Sequence, residues 1–314
     1  MALRTRLDER AARVLCQTYG LALESIEPLP AHGTVNSNFR VRASGRVWFL
    51  RLNEGKREED VAAEVRLIDR LRAGGLPTPE IVRTPDGRAI VPAAGRPATL
   101  FPWLDGREAQ PNAEEPSTVA LAGAALARLH RAGAGLGADE LPRNHYSLDE
   151  LSRRLDSFAG DARVAEVVPP LRLELERARQ RRAAPSGLIH QDLFPDNLLV
   201  DGSGALVAVL DFEQATWGAF IYDLAVVINA WCWTGSRIHP PAVAALLAAY
   251  EATRPLEPGE RELLVDEARL GSARFAITRI TDVFLPDGVD PDLRRRKDFR
   301  DYLRRLAWWI DQSA

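Results

Sequence analysis

The sequence predicts an α+β fold of two unlike lobes, a small β-rich lobe followed by a larger and mostly helical one. Short strand-like runs are concentrated in residues 38–101, whereas helical spacing dominates residues 117–312. The length of 314 residues favours two cores over one. A proline-containing linker at 102–106 separates the two patterns, so we place the first lobe at 1–101 and the second at 102–314.

Each element of the first lobe follows from its local pattern. In chain order we predict a helix at 7–19, strands at 38–42 and 47–52 joined by a turn at 43–45, a helix at 58–72, and short strands at 80–83, 89–92 and 97–101. Within strand 47–52, alternate side chains face opposite sides of the sheet. Arg51 therefore lies on the face opposite the fully apolar one.

The second lobe is predicted to be helical around one hairpin. The helices are expected at 117–131, 147–159, 168–183, 241–253, 259–282 and 292–312. Strands at 198–200 and 205–210 flank a glycine-containing turn and are expected to pair with each other. Asn197 enters the first of these strands and Asp211 leaves the second, so pairing brings both side chains to the open end of the hairpin.

Composition excludes several classes of partner. Hydrophobic residues make up 46% and charged residues 27%, as in ordinary globular proteins. The net charge of −3 gives no electrostatic reason to expect binding to nucleic acid or to an anionic membrane. The longest apolar runs, 224–233 and 243–250, are too short to span a bilayer. Cys16 and Cys232 form no disulfide framework, which suits a reducing compartment. We expect a cytoplasmic monomer or homodimer.

One segment, HQDLFPDN, carries the strongest chemical signal. It places Asp192 and Asn197 five positions apart on a proline-stiffened loop, and Asp211 opens a DFE triplet fourteen positions later. Asp192 would orient an attacking hydroxyl, while Asn197 and Asp211 offer the oxygen ligands that Mg²⁺ prefers. The joint pattern predicts phosphoryl transfer from a Mg²⁺-bound nucleotide. The alternative is a surface turn with ordinary Asp and Asn residues.

Two further features of the first lobe suit nucleotide phosphates. A small-residue loop before the first hairpin strand offers backbone N–H groups, and its candidate residues are Gly33, Thr34, Asn36 and Ser37. Arg51 is the candidate phosphate cation and Glu64, on the next helix, its candidate ion-pair partner. The alternatives are an ordinary turn and a plain surface salt bridge.

The catalytic segment has two candidate supports and a short continuation. We expect Asp223, at the start of an apolar helix, to brace the loop, the alternative being a helix N-cap, and His190 to pack as a loop anchor. Only the nine residues 214–222 separate DFE from Asp223. A protein kinase needs a longer activation segment there to bind a peptide. The acceptor is therefore expected to be a small molecule.

With these motifs in view, the chain resembles the aminoglycoside phosphotransferase and choline kinase superfamily over nearly its whole length. That resemblance is carried by WFLRL, ATLFPWLDG, ALARLH, the catalytic segment and YDLA. A narrower resemblance, to homoserine kinases of the kinase-like type, is carried by VNSNF, DLFPDN, NAWC and RFAITR. The chain departs from that narrower pattern at Gln191, Arg51 and the stretch 213–220.

The resemblance implies a bilobal protein-kinase-like fold that uses ATP and Mg²⁺. It implies that Asp192 is the catalytic aspartate, that Asn197 and Asp211 are the magnesium ligands, and that the 101–104 linker faces adenine, with Phe101 and Trp103 as its aromatic residues. The first lobe would then bind the nucleotide, and the second would carry the catalytic and acceptor sites.

For the acceptor, the resemblance implies L-homoserine and a role in threonine biosynthesis. A zwitterionic amino acid needs a cation for its carboxylate and an anion for its ammonium group. Arg274, Arg279 and Asp282 lie on one predicted helix and are the candidates, the alternative being an internal salt-bridge network. Two rival functions stay open: a kinase of another amino-alcohol, sugar or aminoglycoside, and a catalytically silent nucleotide-binding or scaffold protein.

Overall fold

An antiparallel sheet and a set of helices form the two parts of the chain in the computed structural model, which describes residues 5–29 and 36–312. The strands are β1 (Leu23–Pro28), β2 (Ser37–Ala43), β3 (Arg46–Leu52), β4 (Ile90–Ala93), β5 (Arg96–Pro102), β6 (Arg107–Glu108), β7 (Ser186–Ile189), β8 (Leu198–Val200), β9 (Leu206–Val209) and β10 (Thr216–Ala219). The helices are α1 (Glu9–Thr18), α2 (Glu58–Ala73), α3 (Pro116–Ala132), α4 (Leu148–Phe158), α5 (Val168–Arg179), α6 (Phe220–Trp231), α7 (Pro240–Glu251), α8 (Glu260–Arg279), α9 (Pro291–Arg296) and α10 (Arg300–Asp311).

The first lobe is built on a five-stranded antiparallel sheet in the order β1-β2-β3-β5-β4. The β2–β3 turn passes through Ser44 and Gly45, both with positive φ, as a two-residue hairpin turn that matches strand twist requires. Leu50 and Leu52 are buried against α1, so Arg51 faces the other side of the sheet, as predicted. Arg51 therefore lies on the sheet face that contacts Glu213 of the second lobe.

Helix α2 joins the sheet to the helical lobe through one apolar stripe. Val61 and Ile68 of this helix lie in the same buried core as Leu126 of α3. The predicted helix at 58–72 is thus confirmed, and its stripe is the reason that it packs where it does. This position brings Glu64, on the same helix, under the sheet face that carries Arg51.

The second lobe is organised around α6, of whose twelve residues ten are buried. A helix that is apolar on all sides is stable only inside a core, and α6 packs against α8 and under the strand pair β7–β10. Helices α3 and α7 pack so closely that a Cβ at Gly123 would lie 2.2 Å from the Leu246 carbonyl oxygen. A third small sheet, β6-β8-β9, contains the predicted hairpin.

The α+β prediction is confirmed, since the sheet precedes an almost wholly helical region. Strand β5 ends at Pro102 and is followed by four linker residues, so we retain the lobe boundary between residues 101 and 102 as a proposal. Among the described residues, no helix is long and apolar enough to cross a bilayer.

Two predicted elements are wrong and four strands were not predicted. Residues 80–83 form no strand, because only the Val82 N–H bonds a neighbouring strand, at Leu100. The helix predicted at 292–312 is two helices, since the Asp298 side chain binds the Arg300 N–H and starts α10 separately. The strands that local patterns did not predict are β1, β6, β7 and β10, which are short or polar.

Candidate active site

A buried carboxylate on α6, that of Asp223, binds the loop between β7 and β8. The backbone N–H groups of His190 and Gln191 donate to the two oxygens of Asp223, at 2.7 and 2.8 Å. Gln191 has a φ of 65°, a conformation that costs a non-glycine residue on the order of 1 kcal/mol. The two charge-assisted bonds offset that cost, so these contacts fit the bracing role expected for Asp223.

Asp223 is itself held by a histidine that the sequence did not single out. His130 Nε2 lies 3.0 Å from Asp223 Oδ2, and His130 Nδ1 lies 2.8 Å from the Tyr250 hydroxyl. Burial is the largest single influence and raises the pKa of Asp223, but the hydrogen bonds and charges of His130 and His190 together outweigh it, so the net pKa is lowered. Burial lowers the pKa of His130. The carboxylate is therefore charged and the neutral imidazole donates to it.

Asp192, the expected catalytic aspartate, lies partly exposed on this loop. Its Oδ2 accepts a hydrogen bond from Gln214 Nε2 at 3.1 Å, and its Oδ1 lies 3.9 Å from Arg274 Nη1. Burial of the carboxyl raises its pKa, an effect that the Arg274 guanidinium partly opposes and the Asp211 carboxylate reinforces. A carboxylate with a raised pKa is a better proton acceptor than an ordinary surface one.

Asn197 and Asp211 meet at the open end of the β8–β9 hairpin, as the pairing argument predicts. The Leu210 N–H donates to the Asn197 carbonyl at 2.9 Å, which fixes the two chain ends side by side. Asn197 Nδ2 donates to the Asp192 carbonyl at 2.7 Å, which leaves its amide oxygen available. Asp211 Oδ1 is buried with no hydrogen-bond partner among the described residues.

That donor set fits a hard divalent cation. A buried carboxylate oxygen without a partner is costly unless a cation or proton satisfies it. The amide oxygen of Asn197 and the carboxylate of Asp211 are of the ligand type that Mg²⁺ takes. The carboxylate oxygens of Glu64, Asp211 and Glu213 also lie within 4.8 Å of one another, which concentrates negative charge at the same place.

A compact charge cluster crosses from the sheet to the DFE triplet. Arg51 Nη1 lies 3.2 Å from both Glu64 Oε1 and Glu213 Oε1. Lys56 Nζ lies 3.1 Å from Glu64 Oε2 and 3.2 Å from Glu213 Oε1. Asn36 Nδ2 donates to the same Glu213 oxygen. The expected Arg51–Glu64 pair is present, and Lys56 and Glu213 extend it.

The guanidinium of Arg51 keeps its positive charge inside this cluster. Burial lowers the pKa of its guanidinium, but the carboxylates of Glu213, Asp211 and Glu64 raise it above its ordinary value. The sequence did not mark Lys56 at all, because a lysine in a charged stretch has the pattern of a solvated surface.

The other nucleotide candidates that the structure describes make different contacts. Gly33 and Thr34 fall outside the described residues. Ser37 is buried, and its hydroxyl donates to Glu54 Oε1 at 2.8 Å rather than facing the cluster. Phe101 is buried, whereas Trp103 is partly exposed and its ring centre lies 4.9 Å from the Arg40 guanidinium carbon.

The three acceptor candidates do not converge on one point. Arg274 is buried beside Asp192, between the rings of Tyr146 and Phe275. Arg279 instead donates to the Asp298 carbonyl at 3.0 Å. Asp282 lies in a π-helical turn, Ile280–Phe284, where Arg154 Nη1 donates to both of its oxygens. Of the three, Arg274 is the one that the fold places against the catalytic loop.

Comparison with known proteins gives a consistent family assignment. The phosphotransferase enzyme family matches residues 25–263. A homoserine kinase of Methylobacterium radiotolerans is 35% identical, with 98% of this chain and 96% of the relative covered. A homoserine kinase of Methylorubrum populi is likewise 35% identical at the same coverage.

Solved structures with the same fold were also found. A spectinomycin phosphotransferase, solved with ADP and spectinomycin, superposes with a TM-score of 0.73 at 11% identity over 97% of this chain and 99% of that one. An amicoumacin kinase, solved with AMP-PNP and Ca²⁺, superposes with a TM-score of 0.72 at 16% identity over 96% of this chain and 93% of that one. At these identities the likeness concerns the fold alone.

Proposed function

Since this chain belongs to the phosphotransferase enzyme family, and is related over almost its whole length to homoserine kinases, we propose that it transfers the γ-phosphoryl group of ATP to the side-chain hydroxyl of L-homoserine. The products are ADP and O-phosphohomoserine, an intermediate on the route to threonine. The single observation that carries phosphoryl transfer is the convergence of Asp192, Asn197 and Asp211 at one end of the β8–β9 hairpin.

In this proposal Asp192 orients the acceptor hydroxyl and takes its proton as the O–P bond forms. The group is positioned by the braced loop and has a raised pKa, which suits a proton acceptor. Little other covalent chemistry is required of the protein, because phosphoryl transfer depends mainly on in-line positioning and on electrostatic stabilisation.

Asn197 and Asp211 are proposed to hold Mg²⁺ against the nucleotide phosphates. The buried, unpartnered Asp211 oxygen supports this role, since a bound cation would satisfy it. When bound, the ion screens the negative charge of the β- and γ-phosphates. The proposal requires that nucleotide turnover depends on a divalent cation and that Asp211→Asn raises the concentration of Mg²⁺ needed.

Arg51 and Lys56 are proposed as the cations that face the nucleotide phosphates. Both are paired with Glu64, which fixes their position, and with Glu213, so these four side chains together carry no net charge. The small residues Gly33, Thr34, Asn36 and Ser37 are proposed to form the loop over these phosphates. Adenine is proposed to lie at the linker that contains Phe101 and Trp103.

For the acceptor, Arg274 is proposed to attract the substrate carboxylate through its charge and without direct contact, because its guanidinium is buried and lies 3.9 Å from the Asp192 carboxylate. Arg279 and Asp282 remain proposals for a more distant role in the same site. We also propose that the reaction takes place in the cytoplasm, since Cys16 and Cys232 are buried free thiols of the kind kept in reducing compartments.

The test is an acceptor panel with purified protein, ATP and Mg²⁺. ADP release would be measured with homoserine, choline, ethanolamine, simple sugars and aminoglycosides, and the phosphate ester would be identified by ³¹P NMR. We expect the highest kcat/KM with L-homoserine. Preference for another hydroxyl compound would overturn the acceptor but keep the reaction, whereas no acceptor-dependent ADP release with any compound would overturn the reaction itself.

A further inference from the structure

The side chain of Gln214 bridges the catalytic aspartate and a buried arginine. Its Nε2 donates to Asp192 Oδ2 at 3.1 Å, and its Oε1 accepts a hydrogen bond from Arg274 Nη2. We propose that Gln214 is a positioning residue, which holds the Asp192 carboxylate in one rotamer and keeps it apart from the Arg274 guanidinium. The inference rests on the proposed role of Asp192.

The direction of the two hydrogen bonds is fixed by chemistry. A guanidinium only donates, so the amide oxygen of Gln214 must face Arg274. The amide nitrogen must then face Asp192, whose ionised carboxylate only accepts. The amide therefore has one orientation, and Asp192 has one oxygen, Oδ2, engaged by it. The other oxygen, Oδ1, is left to receive the proton of the acceptor hydroxyl.

Both ends of Gln214 are themselves held in place. Gln191 Nε2 donates to the Gln214 carbonyl at 3.2 Å. Arg274 is 1% exposed, its guanidinium carbon lies 4.0 and 3.8 Å from the ring centres of Tyr146 and Phe275, and its Nη1 donates to the Gln191 carbonyl at 3.4 Å. These contacts fix the guanidinium and the backbone of Gln214, so its amide moves little.

The bridge also sets the distance between two opposite charges. Asp192 Oδ1 and Arg274 Nη1 are 3.9 Å apart, at the limit of an ion pair. A carboxylate turns about its terminal torsion with a broad, two-fold preference. Without Gln214, the Asp192 carboxylate would turn onto Arg274, and a direct ion pair would make it a weaker proton acceptor and misplace it for the hydroxyl.

The first test replaces the amide with an apolar side chain of similar length. Gln214→Met removes both hydrogen bonds and is expected to lower kcat about tenfold or more while KM for ATP stays within about twofold. The matched control is Gln180→Met, the same change at an exposed glutamine that ends α5. That control is expected to leave both constants unchanged.

Gln214→Glu separates positioning from packing. The new carboxylate can still accept from Arg274, so the fold is expected to be kept, but it repels Asp192 instead of donating to it. We expect a lower kcat than in Gln214→Met despite an equal or higher melting temperature. A kcat equal to that of the wild type in either folded variant would overturn the proposal. If Gln214→Met does not fold, the kcat of Gln214→Glu alone tests the proposal.

A double-mutant cycle with Asp192→Asn provides the readout that a structural role would not move. If Gln214 acts through the Asp192 carboxylate, Gln214→Met should lower kcat much less in the Asp192→Asn background than in the wild type. Equal factors in both backgrounds would show an independent structural effect and overturn the proposal. Each kcat is expressed as a ratio to that of the unmutated protein with its best acceptor. If homoserine is not the substrate, this is seen in the unmutated protein alone and does not affect these ratios.

Discussion

Glu213 Oε1 lies 3.2 Å from Arg51 Nη1, and this ion pair joins the DFE triplet of the second lobe to strand β3 of the first. The same oxygen accepts from Lys56 and Asn36, so three donors of the first lobe meet on one anionic atom. We propose the same three donors for an oxygen of a nucleotide phosphate. The Glu213 carboxylate therefore binds the donors of the proposed phosphate site.

This arrangement predicts that Glu213 competes with ATP. Glu213→Gln removes the negative charge of this side chain and leaves Arg51 and Lys56 free to bind phosphate. KM for ATP is therefore expected to fall several-fold at low ionic strength, which corresponds roughly to the free energy of one partly buried ion pair. This decrease in KM for ATP should become smaller as salt is added. Steady-state kinetics at two salt concentrations measure this, with the exposed Glu262→Gln as the matched control. A higher requirement for Mg²⁺ would instead show that Glu213 contributes to the metal site.

Asp192→Asn should nearly abolish turnover. The amide keeps the shape of the side chain, and its oxygen can still accept a hydrogen bond from Gln214, but it cannot take the hydroxyl proton. We therefore expect kcat to fall by about two orders of magnitude or more, with KM for ATP little changed. The control is Asp196→Asn, because Asp196 lies on the same loop, is exposed and is not among the proposed site residues. Turnover of Asp192→Asn close to the wild-type rate would contradict the assignment.

Lys56 is expected to contribute to nucleotide binding although no motif marks it. Lys56→Met removes a cation that lies 3.1 Å from Glu64, and a loss of about 1–2 kcal/mol of phosphate attraction would raise KM for ATP roughly ten-fold. Arg57→Met is a stringent control, because Arg57 is the adjacent residue and is largely exposed. An unchanged KM for ATP in Lys56→Met would leave Arg51 as the sole phosphate cation of the pair.

The parts of the site that the sequence predicts are those that local spacing determines. Asp192 and Asn197 share one loop, and Asp211 reaches them through a hairpin whose pairing follows from two short strands around a turn. Arg51 faces the cleft because the alternation of β3 requires it. In each case, the geometry depends on residues within about one supersecondary unit.

The parts that sequence did not predict depend on contacts between distant segments. Gln214 and Arg274 are 60 positions apart, and Arg51 and Glu213 are 162 apart. One sequence holds no record of such pairings, and glutamine, lysine and glutamate are common on surfaces. Asp282 is a different case: the π-helical turn Ile280–Phe284 changes the helical register, so the spacing from Arg279 does not put both on one face.

A buried glutamate that is not among the proposed site residues gives a prediction for stability against pH. Glu267 on α8 is 1% exposed, and burial raises the pKa of its carboxyl to about 7, although Arg181 Nη1 lies 2.8 Å from it and partly opposes the shift. The folded pKa thus lies above the unfolded value of 4.5. Its proton therefore stabilises the native state fully below pH 4.5, and that contribution is lost as the pH rises to 7 and above.

Glu267→Gln imitates the protonated side chain at every pH. We expect the variant to match the wild type in stability at about pH 4 or below and to exceed it at pH 8, by at most about 3 kcal/mol. Arg181 is 28% exposed and can be solvated when its partner is neutral. Urea unfolding at the two pH values measures the difference, and the exposed Glu262→Gln should show a small effect that does not depend on pH. A variant less stable than the wild type at pH 8 would mean that the ion pair with Arg181 outweighs the cost of burying the charge.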